Sequence, residues 1–177
     1  MTGTSANRKR IPYIALVLGV LAMCGNALAQ DKHIDVSVQQ NGGAYKLVFN
    51  NSECPDSPSE KGCVFAAKGS QPVISWELTG DLAGQWHFTR LQFSPDGNHW
   101  GESGYPLANC TVEDFGLTAA DRISGSASTA QVIGHGQKMQ IRDRNQNECT
   151  THYRIYAEPV GGGGEIDSDP RIKNGGK

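Results

Sequence analysis

The sequence predicts an all-β protein, specifically an antiparallel β-sandwich, and three observations support this interpretation. Apolar residues alternate with polar ones in several short segments, which is the period of a strand with one buried face. Turn-forming residues separate these segments at close spacing, and little of the chain shows the period of a helix. Of the five cysteines, four lie after residue 30, an even number that is typical of disulfides in an exported domain.

The N-terminal segment, residues 1–29, is predicted to be a cleaved signal peptide. A basic stretch at residues 8–10 precedes an apolar run over residues 11–23, and residues 27–29 (ALA) form a small-x-small cleavage site. The apolar run is shorter than the roughly 20 residues of a membrane span, so we expect a periplasmic or secreted protein with no span after cleavage. Removing three basic residues lowers the formal net charge from −2 to −5. This acidic balance disfavours nucleic acid as a partner.

The next part of the chain predicts a hairpin followed by a polar loop. Apolar residues alternate over 34–38 and again over 45–49, and Asn41-Gly42-Gly43 between them favours a tight reversal. Residues 51–62 are polar and rich in Ser and Pro, which is typical of a surface loop. Val64 and Phe65 then predict a short strand.

Residues 73–100 contain all three tryptophans, and we expect the core to form around this stretch. Residues 73–79 and 86–93 each alternate apolar and polar side chains, which predicts two central strands that bury Trp76 and Trp86. The apolar spacing changes by one residue between Phe88 and Leu91, and a β-bulge there would restore the buried face.

The second half of the chain predicts two further hairpin strands, a last strand and a tail. Residues 113–121 favour one or two helical turns. Residues 131–143 predict a strand on either side of Gly134-His135-Gly136, and residues 153–157 predict a strand that Pro159 ends. Residues 30–160 would then form the sandwich domain. Residues 161–177 are predicted to be a glycine-rich flexible tail, or a short segment that docks through its two isoleucines.

The four remaining cysteines allow three disulfide pairings. We favour Cys54–Cys63, which closes a loop containing proline and glycine, together with Cys110–Cys149, which ties the middle of the chain to its late strands. In the chain-entropy model each bridge would stabilise the fold by about 2–4 kcal/mol.

Two dipeptides near the C-terminus carry a resemblance to a known family. Glu158-Pro159 ends the last predicted strand, and Asp169-Pro170 begins a segment, residues 169–174, that is similar to a D-P-x-I-x-N ending. These residues and the aromatic core resemble the DP-EP family of small uncharacterised bacterial proteins. The resemblance implies an immunoglobulin-like β-sandwich of unknown function, and it carries no catalytic residues.

Cys149 and His152 could belong to a copper-type metal site. A cysteine thiolate and a histidine a few residues apart, joined by a second histidine, hold copper in some β-sandwich proteins. The axial methionine of such sites follows the histidine, whereas Met139 precedes Cys149 here. A structural disulfide cysteine is therefore the favoured interpretation of Cys149, and we expect no cofactor.

No complete catalytic motif is present. The chain has no H-E-x-x-H sequence, and residues 101–104 (GESG) lack the spacing of a nucleophile elbow. Glu102, Glu113 and Asp114 could form a glycosidase pair only at a defined separation. Glu113 and Asp114 are instead expected to be solvated or to begin a helical turn.

Aromatic residues that follow a predicted turn are the best candidates for binding. His99, Trp100 and Tyr105 come directly after the turn at residues 94–98, and aromatic rings on such loops stack on sugars or on apolar protein surfaces. Alternatively, Trp100 packs against the sheet edge as part of the core. The sequence therefore predicts a non-enzymatic binding or accessory protein for a glycan or an envelope protein, with a metal-binding protein as the alternative.

Overall fold

Ten β-strands form two sheets in this computed structural model, which describes residues 30–67 and 69–176. The predicted signal peptide, residues 1–29, lies outside the described residues. The strands are β1 (Lys32–Asn41), β2 (Ala44–Phe49), β3 (Val64–Ala67), β4 (Val73–Thr79), β5 (Trp86–Ser94), β6 (Gln131–Ile133), β7 (Lys138–Arg142), β8 (Cys149–Pro159), β9 (Ile166–Ser168) and β10 (Arg171–Gly176). Two short helices are α1 (Asn109–Phe115) and α2 (Ala119–Ser124), and a single 3₁₀ turn covers Ala83–Gln85. The all-β sandwich predicted from the alternation is confirmed.

Sheet A has the strand order β2-β1-β4-β7-β6, and sheet B has the order β3-β10-β8-β5 with β9 also paired to β8. The prediction of a wholly antiparallel sandwich is wrong, because β1 pairs with β4 in parallel and β3 pairs with β10 in parallel. Alternation shows which face of a strand is buried, but it carries no information on the direction of the neighbouring strand.

The aromatic strands supply the core, as the sequence predicts. β4 and β5 lie in different sheets, and their tryptophans Trp76 and Trp86 are both buried. The Trp76 indole packs 5.1 Å from the Tyr153 ring of β8, and its Nε1 donates a hydrogen bond of 2.8 Å to the Tyr153 hydroxyl. The pairing of β5 with β8 shifts register between Phe88 and Arg90, so the predicted bulge is confirmed.

The segment after residue 160 is not a flexible tail; it follows the alternative prediction of a segment that docks through its two isoleucines. β10 lies between β3 and β8 in sheet B, and its Ile172 is fully buried. The other inward side chain of β10, Asn174, is polar, and its Nδ2 donates hydrogen bonds to two buried carboxylates. A strand with one apolar residue on its buried face shows no alternation in the sequence, so the sequence does not predict β10 as a strand.

Both predicted disulfides are present. Cys54 and Cys63 join the two ends of the polar loop, and Cys110 of α1 is joined to Cys149, the first residue of β8. Two disulfides in one small domain indicate an oxidising environment outside the cytoplasm. Within residues 30–67 and 69–176, no helix has the length and apolarity needed to cross a membrane.

Candidate functional site

The turn after β5 is held rigid by hydrogen bonds between its own backbone and its own side chains. Ser94 Oγ accepts from Gly97 N at 2.9 Å and donates to His99 O at 2.8 Å. The Asp96 carboxylate accepts from the backbone N–H groups of Asn98 and His99 and contacts His99 Nδ1 at 2.7 Å. The backbone donor of Asn98 and the His99 ring hold the pKa of Asp96 below its ordinary value. The turn therefore presents the His99 side chain in one fixed orientation.

The next residue, Trp100, folds back over sheet B. Its Nε1 donates to Gly97 O at 3.0 Å, and the guanidinium of Arg154 on β8 lies 4.2 Å from the centre of its ring. Arg154 also forms ion pairs with Asp167 and Asp169. The alternative interpretation of Trp100 is thus partly correct, because the ring packs on the outer face of the sheet and remains half-buried.

His99 and Tyr105 form a stacked pair at the edge of this loop. Their ring centres are 3.5 Å apart and their planes differ by 10°. Tyr105 is 49% exposed, and its backbone N–H donates to Glu102 O, which closes the loop. The structure thus brings the rings of His99 and Tyr105 into contact, while the adjacent Trp100 packs over Arg154. We call the three predicted residues His99, Trp100 and Tyr105 the aromatic surface.

A second arginine–aromatic contact lies on the same face of sheet B. The Arg90 guanidinium is 3.7 Å from the centre of the Tyr156 ring, and it pairs with Glu165 at 2.9 Å. The hydrogen bond from Arg90 lowers the pKa of Glu165. Arg154 and Arg90 are therefore each engaged by carboxylates next to the aromatic surface.

The glycine at position 97 allows this loop to approach the sheet. Gly97 has a φ of +80°, and a Cβ atom at this position would lie 2.7 Å from Nδ1 of His152. His152 faces outward on β8 opposite Ser94, so its side chain packs against the turn. Only glycine adopts this conformation without strain or collision.

Cys149 cannot be the cysteine ligand of the copper-type site that the sequence suggests as an alternative. Cys149 Sγ is bonded to Cys110, so it cannot supply the thiolate that such a site needs. Within residues 30–67 and 69–176, no group of three or more His, Cys, Asp or Glu side chains is placed to hold a metal ion. Cys149 has the structural role that its pairing predicts.

The structure places the acidic residues that could have formed a glycosidase pair in different environments. Glu102 and Glu113 are exposed, whereas Asp114 is fully buried. Since α1 begins at Asn109, Glu113 and Asp114 lie in its second half. The expectation that Asp114 is solvated or begins a helical turn is wrong, because its carboxylate accepts hydrogen bonds from the chain after β7.

Sequence reasoning missed the arginines that border the aromatic surface. The alternation of β8 does place Arg154 and Tyr156 on one outward face. However, their neighbours Trp100 and Arg90 come from a different part of the chain, and only the register of β5 against β8 brings them together. That long-range pairing has no local sequence signal.

Comparison with known proteins does not extend this description. No family model matches the chain, and no curated protein sequence matches it. Its function is therefore inferred from its own residues and their geometry.

Proposed function

We propose that the chain is an exported, non-enzymatic binding or accessory protein whose aromatic surface recognises a glycan or an envelope protein. The observation that carries this proposal is the stacked pair of His99 and Tyr105, half-exposed on a loop that backbone hydrogen bonds hold rigid. A prearranged aromatic face binds with little loss of conformational entropy. Loops on a rigid β-scaffold are common recognition sites.

The electrostatics favour a neutral ligand, and among neutral ligands we favour a glycan. Arg154 and Arg90 are both engaged by carboxylates, so neither offers a free positive charge to an anionic group. Sugar rings present flat C–H faces that stack on Tyr and Trp, and their hydroxyls pair with polar groups at the rim. With Nδ1 facing Asp96, the Nε2 atom of His99 and the hydroxyl of the half-exposed Tyr105 are the polar atoms of the stacked pair that can meet sugar hydroxyls.

Export is supported by the predicted signal sequence, whose residues 1–29 lie outside the described part of the chain, and by the two disulfides. We place the protein in the periplasm or outside the cell. An immunoglobulin-like arrangement of the two sheets and membership of the DP-EP family remain proposals. They are supported by the roles of residues 169–174, since Asp169 pairs with Arg154 and Ile172 enters the core.

Glycan screening with matched tyrosine variants tests this function. The protein is screened against peptidoglycan fragments and neutral envelope oligosaccharides, and affinities are measured by calorimetry. We expect Tyr105→Ala to weaken binding at least fivefold, because removal of one stacking ring costs about 1–3 kcal/mol. Tyr45→Ala removes a comparably exposed tyrosine, 41% against 49%, away from the aromatic surface, and its affinity should be unchanged.

Two results would contradict the proposal. One is the absence of any binding among glycans and envelope proteins by the folded protein. The other is binding that Tyr105→Ala and Tyr45→Ala weaken equally, which would place the ligand elsewhere on the molecule.

A further inference from the structure

Three buried polar side chains meet where the C-terminal strand reaches α1. Asp114 comes from α1, Asp143 follows β7, and Asn174 comes from β10, and their exposed fractions are 0%, 0% and 5%. Asn174 Nδ2 donates to Asp114 Oδ2 at 3.0 Å and to Asp143 Oδ1 at 3.2 Å. Two carboxylates thus converge on one amide from separate parts of the chain.

Two oxygen atoms of this cluster have no hydrogen-bond partner among the described residues, Oδ2 of Asp143 and Oδ1 of Asn174. Of the other carboxylate oxygens, Asp114 Oδ2 accepts from Asn174, and the other two accept from the loop after β7. Asp114 Oδ1 accepts from the backbone of Gln146 at 2.8 Å, and Asp143 Oδ1 accepts from the backbone of Asn145 at 2.8 Å. A buried oxygen without a partner costs about 1–3 kcal/mol, so these two atoms require an explanation.

The two carboxylates of the cluster also lack a basic partner in the described part of the chain. Asp114 and Asp143 belong to none of the ion pairs among residues 30–67 and 69–176. Buried carboxylates without a basic partner are normally neutralised by a proton or bound to a metal ion.

We propose that Asp114, Asp143 and Asn174 form a binding site for a hard divalent cation, with Ca²⁺ as the best match. The three side chains can offer a metal ion carboxylate and amide oxygens. Carboxylates combined with amide and backbone carbonyls are the ligands that Ca²⁺ prefers. Rotation of the Asn174 amide by 180° exchanges Nδ2 for the unpartnered Oδ1. This oxygen then lies next to Asp114 Oδ2 and Asp143 Oδ1, the two atoms that Nδ2 contacts at 3.0 and 3.2 Å. The bound cation neutralises both carboxylates and fastens β10 to α1.

Thermal unfolding in EDTA, CaCl₂ and MgCl₂ tests this site. Extracellular Ca²⁺ sites bind with Kd values of about 0.1–1 mM, so 5 mM CaCl₂ should raise the Tm by about 3–6 °C relative to EDTA. Asp143→Asn retains the size of the side chain and removes its charge, and it should abolish this rise. The control Asp56→Asn makes the same change at an exposed position and should retain the full rise. A comparable rise with MgCl₂ supports the site with the smaller ion as its occupant.

An NMR titration of the wild-type protein gives a second readout that does not depend on a variant folding. Backbone amides of Gln146 and Asn147 donate to Asp114, so both should shift saturably with one equivalent of Ca²⁺ per chain. The proposal is overturned if neither cation raises the Tm or shifts these amides at 5 mM. It is also overturned if Asp143→Asn keeps the full thermal response.

Discussion

At the scale of single residues, the candidate surface depends on one aspartate and one glycine. Asp96 accepts two backbone hydrogen bonds and contacts the His99 ring, while Gly97 lets the turn lie directly on His152. These contacts place His99 against Tyr105 before any ligand arrives. The geometry of the aromatic surface is therefore set by side chains that need not touch the ligand.

The ionised form of Asp96 should stabilise this turn, and acid should remove the effect. Its pKa in the folded protein lies below the ordinary value, so the contribution is present above about pH 4 and is lost as the pH falls through the folded-state pKa. We expect Asp96→Asn to lower stability at neutral pH and the difference from wild type to shrink on acidification. Urea unfolding of both proteins from pH 2 to 7 measures this difference.

Carboxyl ¹³C NMR provides the direct check on Asp96. The resonance should titrate below the range of an aspartate in an unfolded peptide. If Asp96 titrates near pH 4, or if the stability difference stays constant across the whole pH range, the role assigned to this carboxylate is wrong.

At the scale of secondary-structure elements, β10 is an interior strand that completes sheet B. It pairs in parallel with β3 and antiparallel with β8, and so it lies inside sheet B rather than at an edge. Ile172 reaches the core, and Asn174 contacts the carboxylates of α1 and the loop after β7. The segment that resembles the D-P-x-I-x-N ending is thus a structural strand of the sandwich.

The variant Ile172→Ala should destabilise the protein by about 2–5 kcal/mol, because it removes a fully buried side chain and leaves a cavity between the sheets. Ile123→Ala is the matched control, since Ile123 is 45% exposed on α2, and its cost should stay below about 1 kcal/mol. Urea unfolding at neutral pH compares the two. Similar small costs for both variants would mean that β10 is not part of the cooperative core.

Much of this element list could be predicted from the sequence, for a physical reason. Strands such as β1, β4 and β8 bury one apolar face, so their alternation is visible, and the phase change in β5 correctly indicates its bulge. β10 escapes detection because, of its buried inward side chains, Ile172 is apolar but Asn174 is polar. A buried polar residue is recognisable only once its partners Asp114 and Asp143 are known, and these are distant in sequence.

The candidate surface is likewise predictable from the sequence only in part. His99, Trp100 and Tyr105 lie within seven residues after a turn, so their proximity follows from local sequence. Arg154 and Arg90, which set the charge of this face, reach it through the pairing of β8 with β5. The local half of the surface was predictable, and the half that depends on strand pairing was not.

At the scale of the whole molecule, side-chain contacts and disulfides join parts of the chain that backbone pairing does not. A buried chain of hydrogen bonds runs from Trp76 of sheet A to the Tyr153 hydroxyl of sheet B and on to Gly62 O, at 2.8 and 2.7 Å. Cys54–Cys63 closes the loop that contains Gly62, and Cys110–Cys149 fastens α1 to sheet B. One bridge therefore closes a short local loop, and the other joins segments that are far apart in sequence.

The two disulfides should differ in their contribution to stability. Cys110–Cys149 spans a sequence separation of 39 and Cys54–Cys63 a separation of 9, so in the chain-entropy model the wider loop contributes about 1 kcal/mol more. Loss of the wider bridge also frees α1, whose Asp114 helps to anchor β10. We expect the double variant Cys110→Ala/Cys149→Ala to unfold at lower urea concentration than Cys54→Ala/Cys63→Ala, although the second pair is the more deeply buried. The reverse order would mean that local packing around Cys54 and Cys63, rather than restriction of the unfolded chain, determines what these bridges contribute.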